Sequence, residues 1–353
     1  MVGNKDEEAS AVRVPVVDIG ALVNCEDAAQ IIETLRSALT EWGFFYVSNH
    51  GIAPEYMADF QRQMKQFFAL APELKATIRR TEKNPIGYYD EEFTKNKKDW
   101  KEIFSYSPRY EDDGDTYVST GRSSDVRNQW LDDQVLPGFK STLTEYYHRV
   151  EHIAQRLLML IAVTLGEDVS FFDQFFYSKY EDAATGVSHY KQNNTSSMRL
   201  NHYPVAPEPE KTMGVHHHTD PGALTVLLQD DEVASLQVFH RESQEWHFVP
   251  PIKDTYVINI GDLVQVWSND KFIAPLHRVL ASGTKSRYSV PFFHNPGLDT
   301  NVRPLLVDAN DTPKYRELNW KSYIMEKVKG DLANLDKDDP HISQYRIQEG
   351  EAA

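Results

Sequence analysis

Apolar residues recur at two different spacings along this chain, and the change of spacing divides it in two. In the first half the spacing is three and four. Ile31, Ile32, Leu35 and Leu39 mark one helical stripe, and Met57, Phe60, Met64, Phe67 and Phe68 mark a second. Pro72 is expected to stop or kink that second helix. A longer helix is expected over residues 139–165, with Leu143, Tyr147, Val150, Ile153, Leu157 and Ile161 on one face. The stripes read as core-facing surface. Residues 14–19 and 44–47 are short apolar runs and read as strands. Residues 80–138 show no clear period and are expected to be irregular, polar and aromatic, with an acidic turn at 111–115.

From residue 197 the texture changes to short β-rich runs separated by turn residues. Strands are expected at 198–203, 224–228, 236–239, 246–249, 256–260, 263–267, 277–280 and 288–293, and a closing helix at 315–328. Strands so short and so evenly spaced point to an antiparallel sandwich or jelly roll rather than alternating βαβ units. The expected organisation is a tail at 1–13, a mixed α/β region at 14–196 packed on the core, a β core at 197–300, a helical cover at 301–330 and an acidic tail at 331–353.

Composition removes several function classes. The 37 basic and 53 acidic residues give a net charge of −16, which disfavours a duplex-binding surface, since polyanion affinity comes mostly from Lys and Arg. The single cysteine, Cys25, excludes an internal disulfide framework and any Cys-based zinc or iron–sulfur site. No apolar run is long enough to cross a bilayer, and the first ten residues are polar, so a cytoplasmic protein without membrane contact is expected. Gly-rich phosphate loops and G-x-S-x-G elbows are missing.

Candidate chemistry starts at GVHHHTD. His218 and Asp220 are two apart, so in extended backbone they project from the same side. A third candidate, His277, follows in APLHRV. Two imidazoles and a carboxylate suit an octahedral Fe(II) that keeps one face open for a bidentate cosubstrate and O2. An H-x-D pair alone is a weak signal. It gains weight from Arg287 and Ser289, alternate residues on a later strand. A guanidinium forks onto a carboxylate, and a hydroxyl adds a donor.

These stretches together resemble the 2-oxoglutarate- and Fe(II)-dependent dioxygenases of the isopenicillin N synthase-like branch. The resemblance runs through VPVVDI at 14–19, WGFFYVSNHGI at 42–52, DWKEIF at 99–104, NHYP at 201–204, HTDPGALTVLLQD at 218–230, NIGDLVQVWSN at 259–269, APLHRV at 274–279 and RYSVPFFHNP at 287–296. It implies a mainly β fold with α, a double-stranded β-helix (jelly-roll, cupin-like) core flanked by N-terminal and C-terminal helices. It also implies that His218, Asp220 and His277 bind iron. Arg287 and Ser289 would take the distal carboxylate of 2-oxoglutarate, with Asn201 and Tyr203 beside it. The implied reaction is oxidation of a small organic metabolite by hydroxylation, desaturation or ring closure, with release of succinate and CO2. A monomer acting in specialised metabolism is the expected context.

The remaining candidates are read for the substrate pocket. Phe293 shares a strand face with Arg287, and His216 shares one with His218, where it lines the pocket or orients a ligand. His216 as a fourth ligand would leave too few positions for cosubstrate and O2. Tyr88, Tyr89 and Phe104, in the irregular 80–138 segment, are aromatic candidates for specificity. The alternatives are an iron oxidase of the same branch that uses no 2-oxoglutarate, a nucleic-acid demethylase and a non-catalytic sensor on the same scaffold.

Overall fold

The computed structural model describes residues 13–23, 28–81, 83–94, 97–108, 126–181, 188–229, 232–307, 310–332 and 341–348. The expected acidic turn at 111–115 and all but one residue of the tail at 1–13 lie outside these residues.

Eight strands form one sheet in the spatial order Val16–Asp18, Phe44–Ser48, Tyr256–Ile260, Leu224–Gln229, Arg287–His294, Ser197–Tyr203, Glu102–Tyr106 and Gly87–Tyr89. Its described pairings are antiparallel except that of Val16–Asp18 with Phe44–Ser48. A second sheet of four strands runs Met213–His218, His277–Leu280, Leu236–His240, Glu245–Phe248.

Strand alternation explains how the layers assemble. In Phe44–Ser48, Phe45 and Val47 belong to one apolar cluster and Phe44 and Tyr46 to another. The larger cluster lies between the eight-stranded sheet and the helices; the smaller also contains Val215, Val238 and Val279 of the second sheet. The large sheet is therefore buried on both faces, which is why several of its strands read as continuous apolar runs. Helix Phe139–Thr164 packs on strands Leu224–Gln229 and Arg287–His294 and on helices Ala29–Glu41 and Pro54–Phe68. Phe60 stacks on Tyr146, centroids 3.6 Å apart, and the Tyr146 hydroxyl bonds that of Tyr256 at 2.7 Å. Each large side chain buried there contributes about 1.5–3 kcal/mol.

Several sequence expectations change. The run 263–267, read as a strand, is helix Asp262–Trp267, buried throughout. Five residues with one polar position, the buried Gln265, carry no period that separates strand from buried helix. The segment 80–138 contains two strands of the main sheet, Gly87–Tyr89 and Glu102–Tyr106. A strand Met213–His218 and a hairpin of Tyr177–Glu181 with Ser188–Gln192 were not anticipated either. Pro72 opens a new short helix, Pro72–Ala76, where its missing N–H costs nothing. The last long helix begins at Trp320 rather than 315. Residues 341–348, expected within the acidic tail, pack on the domain. Ile342 is buried and Arg346 pairs with Asp270 at 2.8 Å.

Candidate metal and cosubstrate site

His218 ends strand Met213–His218 and stands directly opposite His277, the first residue of its antiparallel neighbour. Their ring centroids lie 4.3 Å apart. Asp220 comes from the turn just after the strand, so the expected extension of the strand to Asp220 is not observed. A backbone bond from Asp262 N to Asp220 O, 2.8 Å, anchors that turn to helix Asp262–Trp267. His218 Nε2 and His277 Nε2 lie 3.6 and 3.7 Å from Asp220 Oδ1. One ligand atom from each residue falls within 4.8 Å of the others. Among the described residues this is the group of three or more that could hold a metal.

The other heteroatom of each candidate ligand is already engaged. His218 Nδ1 donates to His216 O at 2.8 Å, and His277 Nδ1 to Pro275 O at 3.1 Å. A carbonyl only accepts, so each ring carries its proton on Nδ1 and offers the Nε2 lone pair. Asp220 Oδ2 accepts from Thr225 Oγ1 and from Asn259 Nδ2, the latter at 2.8 Å. Oδ1 is left facing the two imidazoles. Burial, then the neighbouring His277, push His218 down to about 3, which keeps it neutral at pH 7. Burial alone would raise Asp220, but His277, His218 and the Asn259 and Thr225 hydrogen bonds hold it below the usual range. Two imidazoles and one carboxylate converging on one point fit a divalent iron.

A second group lies on the inner face of the large sheet. Register places Arg287 opposite Tyr203 and Ser289 opposite Asn201. Asn201 Nδ2 donates to Ser289 Oγ at 3.3 Å, and Ser289 Oγ to the Tyr203 hydroxyl at 3.5 Å. Arg287, 1% exposed, donates from Nη2 to Gln229 Oε1 at 3.0 Å, and its Cζ is 5.1 Å from the Tyr203 ring. The Gln229 amide is oriented by its own bond to Val249 O, 3.0 Å. Asn201 Oδ1 is buried without a hydrogen bond. A buried guanidinium with a hydroxyl, an amide and a phenol around it matches the needs of a carboxylate ligand.

The other pocket candidates divide. Phe293 lies on the same strand face as Arg287 and Ser289, and the Arg199 Cζ sits 5.5 Å from its ring. His216 stays outside the metal group; its Nδ1 pairs with Asp99 Oδ1 at 3.2 Å while its carbonyl orients His218. Phe104 and Tyr88 are corrections. Phe104 pairs across the sheet with Leu200, on the face turned to the helices, and packs on Phe67 and Phe139. Tyr88 shares that face, packs near Phe67 and donates its hydroxyl to Glu102 at 2.7 Å. Strand alternation, which an irregular segment would lack, sends both away from the site. Thr225, Gln229 and Asn259 were missed, although polar residues inside the apolar runs LTVLLQ and YVINI were a usable signal.

Residues 194–296 match the family described as the 2OG-Fe(II) oxygenase superfamily, and residues 14–133 match that described as non-haem dioxygenase in morphine synthesis N-terminal. The chain is 33% identical over 336 residues to the 2-oxoglutarate-dependent dioxygenase citB of Monascus ruber, covering 90% of this chain and 95% of that one. It is 31% identical over 339 residues to a homoarginine-6-hydroxylase of Oryza sativa subsp. japonica, covering 89% and 96%. A solved structure of a full-length Neurospora crassa protein in complex with alpha-KG and 5-formyluracil superposes with a TM-score of 0.73 at 26% identity, covering 92% and 97%. The convergent His-Asp-His group, the jelly-roll core and these matches lead to one conclusion: the chain belongs to the 2OG-Fe(II) oxygenase superfamily and is an iron- and 2-oxoglutarate-dependent oxidoreductase.

Proposed function

We propose that His218, Asp220 and His277 hold the Fe(II), and that Arg287 and Ser289, flanked by Asn201 and Tyr203, hold the distal carboxylate of 2-oxoglutarate. When bound, the iron and cosubstrate supply O2 activation coupled to decarboxylation, with succinate and CO2 released. The protein supplies geometry. The His216 and Pro275 carbonyls keep both imidazole lone pairs aimed inward, and Thr225 and Asn259 fix the carboxylate rotamer. Gln229 holds Arg287 in place, so the cosubstrate is oriented before the substrate arrives. The observation that carries this reading is the convergence of three ligand atoms within 4.8 Å, each with its partner atom engaged elsewhere.

The substrate is a small organic metabolite, oxidised by hydroxylation, desaturation or oxidative cyclisation. A cytoplasmic monomer working in specialised metabolism, with no nucleic-acid partner, is the setting this reading favours; the −16 charge supports the last point. The test is succinate formation from 2-oxoglutarate under Fe(II) and O2. The wild-type chain is expected to form succinate in a substrate-dependent manner, and His218→Ala and Asp220→Ala are expected to form none. Either variant turning over at the wild-type rate would show that the ligand set is wrong.

A further inference from the structure

The inner face of the large sheet also carries a buried ionic cluster beside the cosubstrate group. Arg199 precedes Asn201 by two residues and Tyr203 by four on strand Ser197–Tyr203, so the three side chains leave on one side. Arg199 Nη1 donates to Glu92 Oε1 at 3.0 Å. Glu92, 3% exposed, also receives Lys101 Nζ at 2.7 Å and faces Arg80 Nη1 at 3.6 Å. Lys101 reaches Asp99 at 3.1 Å, and Asp99 in turn holds His216. Tyr89 stands in one cross-strand row with Ile103, Asn201 and Ser289. Arg80 stacks on it, with Cζ 3.3 Å from the ring centroid. The cluster is thus built into the flank of the site, next to Asn201.

Within it, Arg80 differs from its neighbours. Its Nη1 faces Glu92 and its guanidinium lies against Tyr89, whereas Nε and Nη2 are buried with no hydrogen bond of ordinary geometry among the described residues. Those two nitrogens form one edge of the guanidinium, a pair of parallel donors spaced like the two oxygens of a carboxylate. Burial would raise Glu92, but Arg199, Lys101 and Arg80 hold it well below the carboxylate range. Glu92 therefore stays an anion and keeps Nη1 engaged. Buried donors with no acceptor are rare in native proteins and call for an explanation. A single neutral acceptor would satisfy one of them, whereas a carboxylate satisfies both and balances charge.

We propose that the small-molecule substrate carries a carboxylate received on the Nε–Nη2 edge of Arg80, with Arg199 as a second cation and Phe293 against its apolar frame. The proposal rests on the oxygenase reading above and names the class of substrate for it. Glu92 and Lys101 set the spacing of the two guanidiniums. A cluster that only braced strand Gly87–Tyr89 to the sheet would show no preference for a charged ligand.

The test is binding. Protein loaded with Mn(II) and saturating 2-oxoglutarate without O2 is titrated by calorimetry, and by thermal shift, with monocarboxylic acids and their methyl esters. The pairs span hexanoyl, phenylacetyl, cinnamoyl and N-acetylglycyl frames. At least one acid is expected to bind about tenfold or more tightly than its ester, as loss of a bidentate ion pair implies. That ratio is expected to collapse to within about twofold in Arg80→Gln, and also in Arg80→Lys, which keeps the charge but loses the fork. Acids no tighter than esters across the panel, or an Arg80→Gln protein that keeps the preference, would overturn the carboxylate site. If Arg80→Gln does not fold, the wild-type ratio and Arg80→Lys decide. Absence of any response to Mn(II) and 2-oxoglutarate counts against the metal and cosubstrate reading instead, and the acid-to-ester ratio then still decides the role of Arg80.

Discussion

Asn259 and Thr225 touch neither metal nor cosubstrate, yet replacing them should weaken metal binding. Both donate to Oδ2 of Asp220, which is 5% exposed, so water cannot readily replace a lost donor. A hydrogen bond to a charged acceptor contributes about 1.5–3 kcal/mol. The freed carboxylate can also rotate, and Oδ1 then no longer faces the two imidazoles. Supporting residues of this kind typically cost about 10–100-fold in metal affinity, or ~1.4–2.7 kcal/mol, which agrees with the hydrogen-bond figure. Asn259→Ala and Thr225→Val are each expected to raise the Kd for Fe(II) or Mn(II) by that factor. The double variant should lose less than the sum, because both donors serve one oxygen. The assay is anaerobic calorimetric titration of the metal, with far-UV circular dichroism to confirm the fold. A double variant binding metal within about twofold of wild type, where coupled loss was expected, would refute the idea that these donors aim Asp220.

Other outcomes follow from the same geometry. Arg287→Ala should raise the KM for 2-oxoglutarate by ~30-fold or more, since removing a desolvated charge partner costs about 2 kcal/mol upward; an unchanged KM would remove Arg287 from the cosubstrate site. Phe104→Ala should destabilise the fold by about 3–5 kcal/mol through a cavity between sheet and helices. It should leave substrate preference intact, and a changed preference would return Phe104 to the pocket. Burial would raise Glu102, but hydrogen bonds from His202, Lys75 and Tyr88 outweigh it and hold the carboxyl at about 2 against an ordinary 4.5. Because the folded value is the lower one, its stabilisation is complete above 4.5 and lost as pH falls toward 2. The urea midpoint of wild type should fall across that window, and Glu102→Gln should be weaker at neutral pH with a shallower fall. Equal slopes would refute the linkage.

Much of the site was legible because its chemistry depends on residue type at short range. The H-x-D spacing and the alternation of Arg287 with Ser289 are local facts; His218, Asp220 and His277 lie together although Asp220 stands in a turn rather than on the strand, and Arg287 and Ser289 stand opposite Tyr203 and Asn201. Segments failed where burial was complete or the elements were very short. The run LVQVW has a single polar position, Gln265, too few to reveal a period, and the turn at Gly261, held against Asp220, starts it as a helix. Gly87–Tyr89 is three residues long and is a strand because Glu102–Tyr106 offers it an edge. A propensity argument cannot see that edge.

The sequence by itself determined the donor types, their charges, the layered β core and the helical stripes, since all of these follow from composition and near-neighbour spacing. Only the tertiary structure decided which way each side chain points. His277 comes into reach of His218 by cross-strand pairing, over a separation that no local rule spans. The faces of strands Gly87–Tyr89 and Glu102–Tyr106 are set by register with Ser197–Tyr203. That register turned Phe104 and Tyr88 toward the helices and brought Tyr89, with Arg80 stacked on it, to the side of the site. A one-residue shift in pairing exchanges the two faces of a strand, so the identity of the pocket wall was a property of the fold and not of the segment.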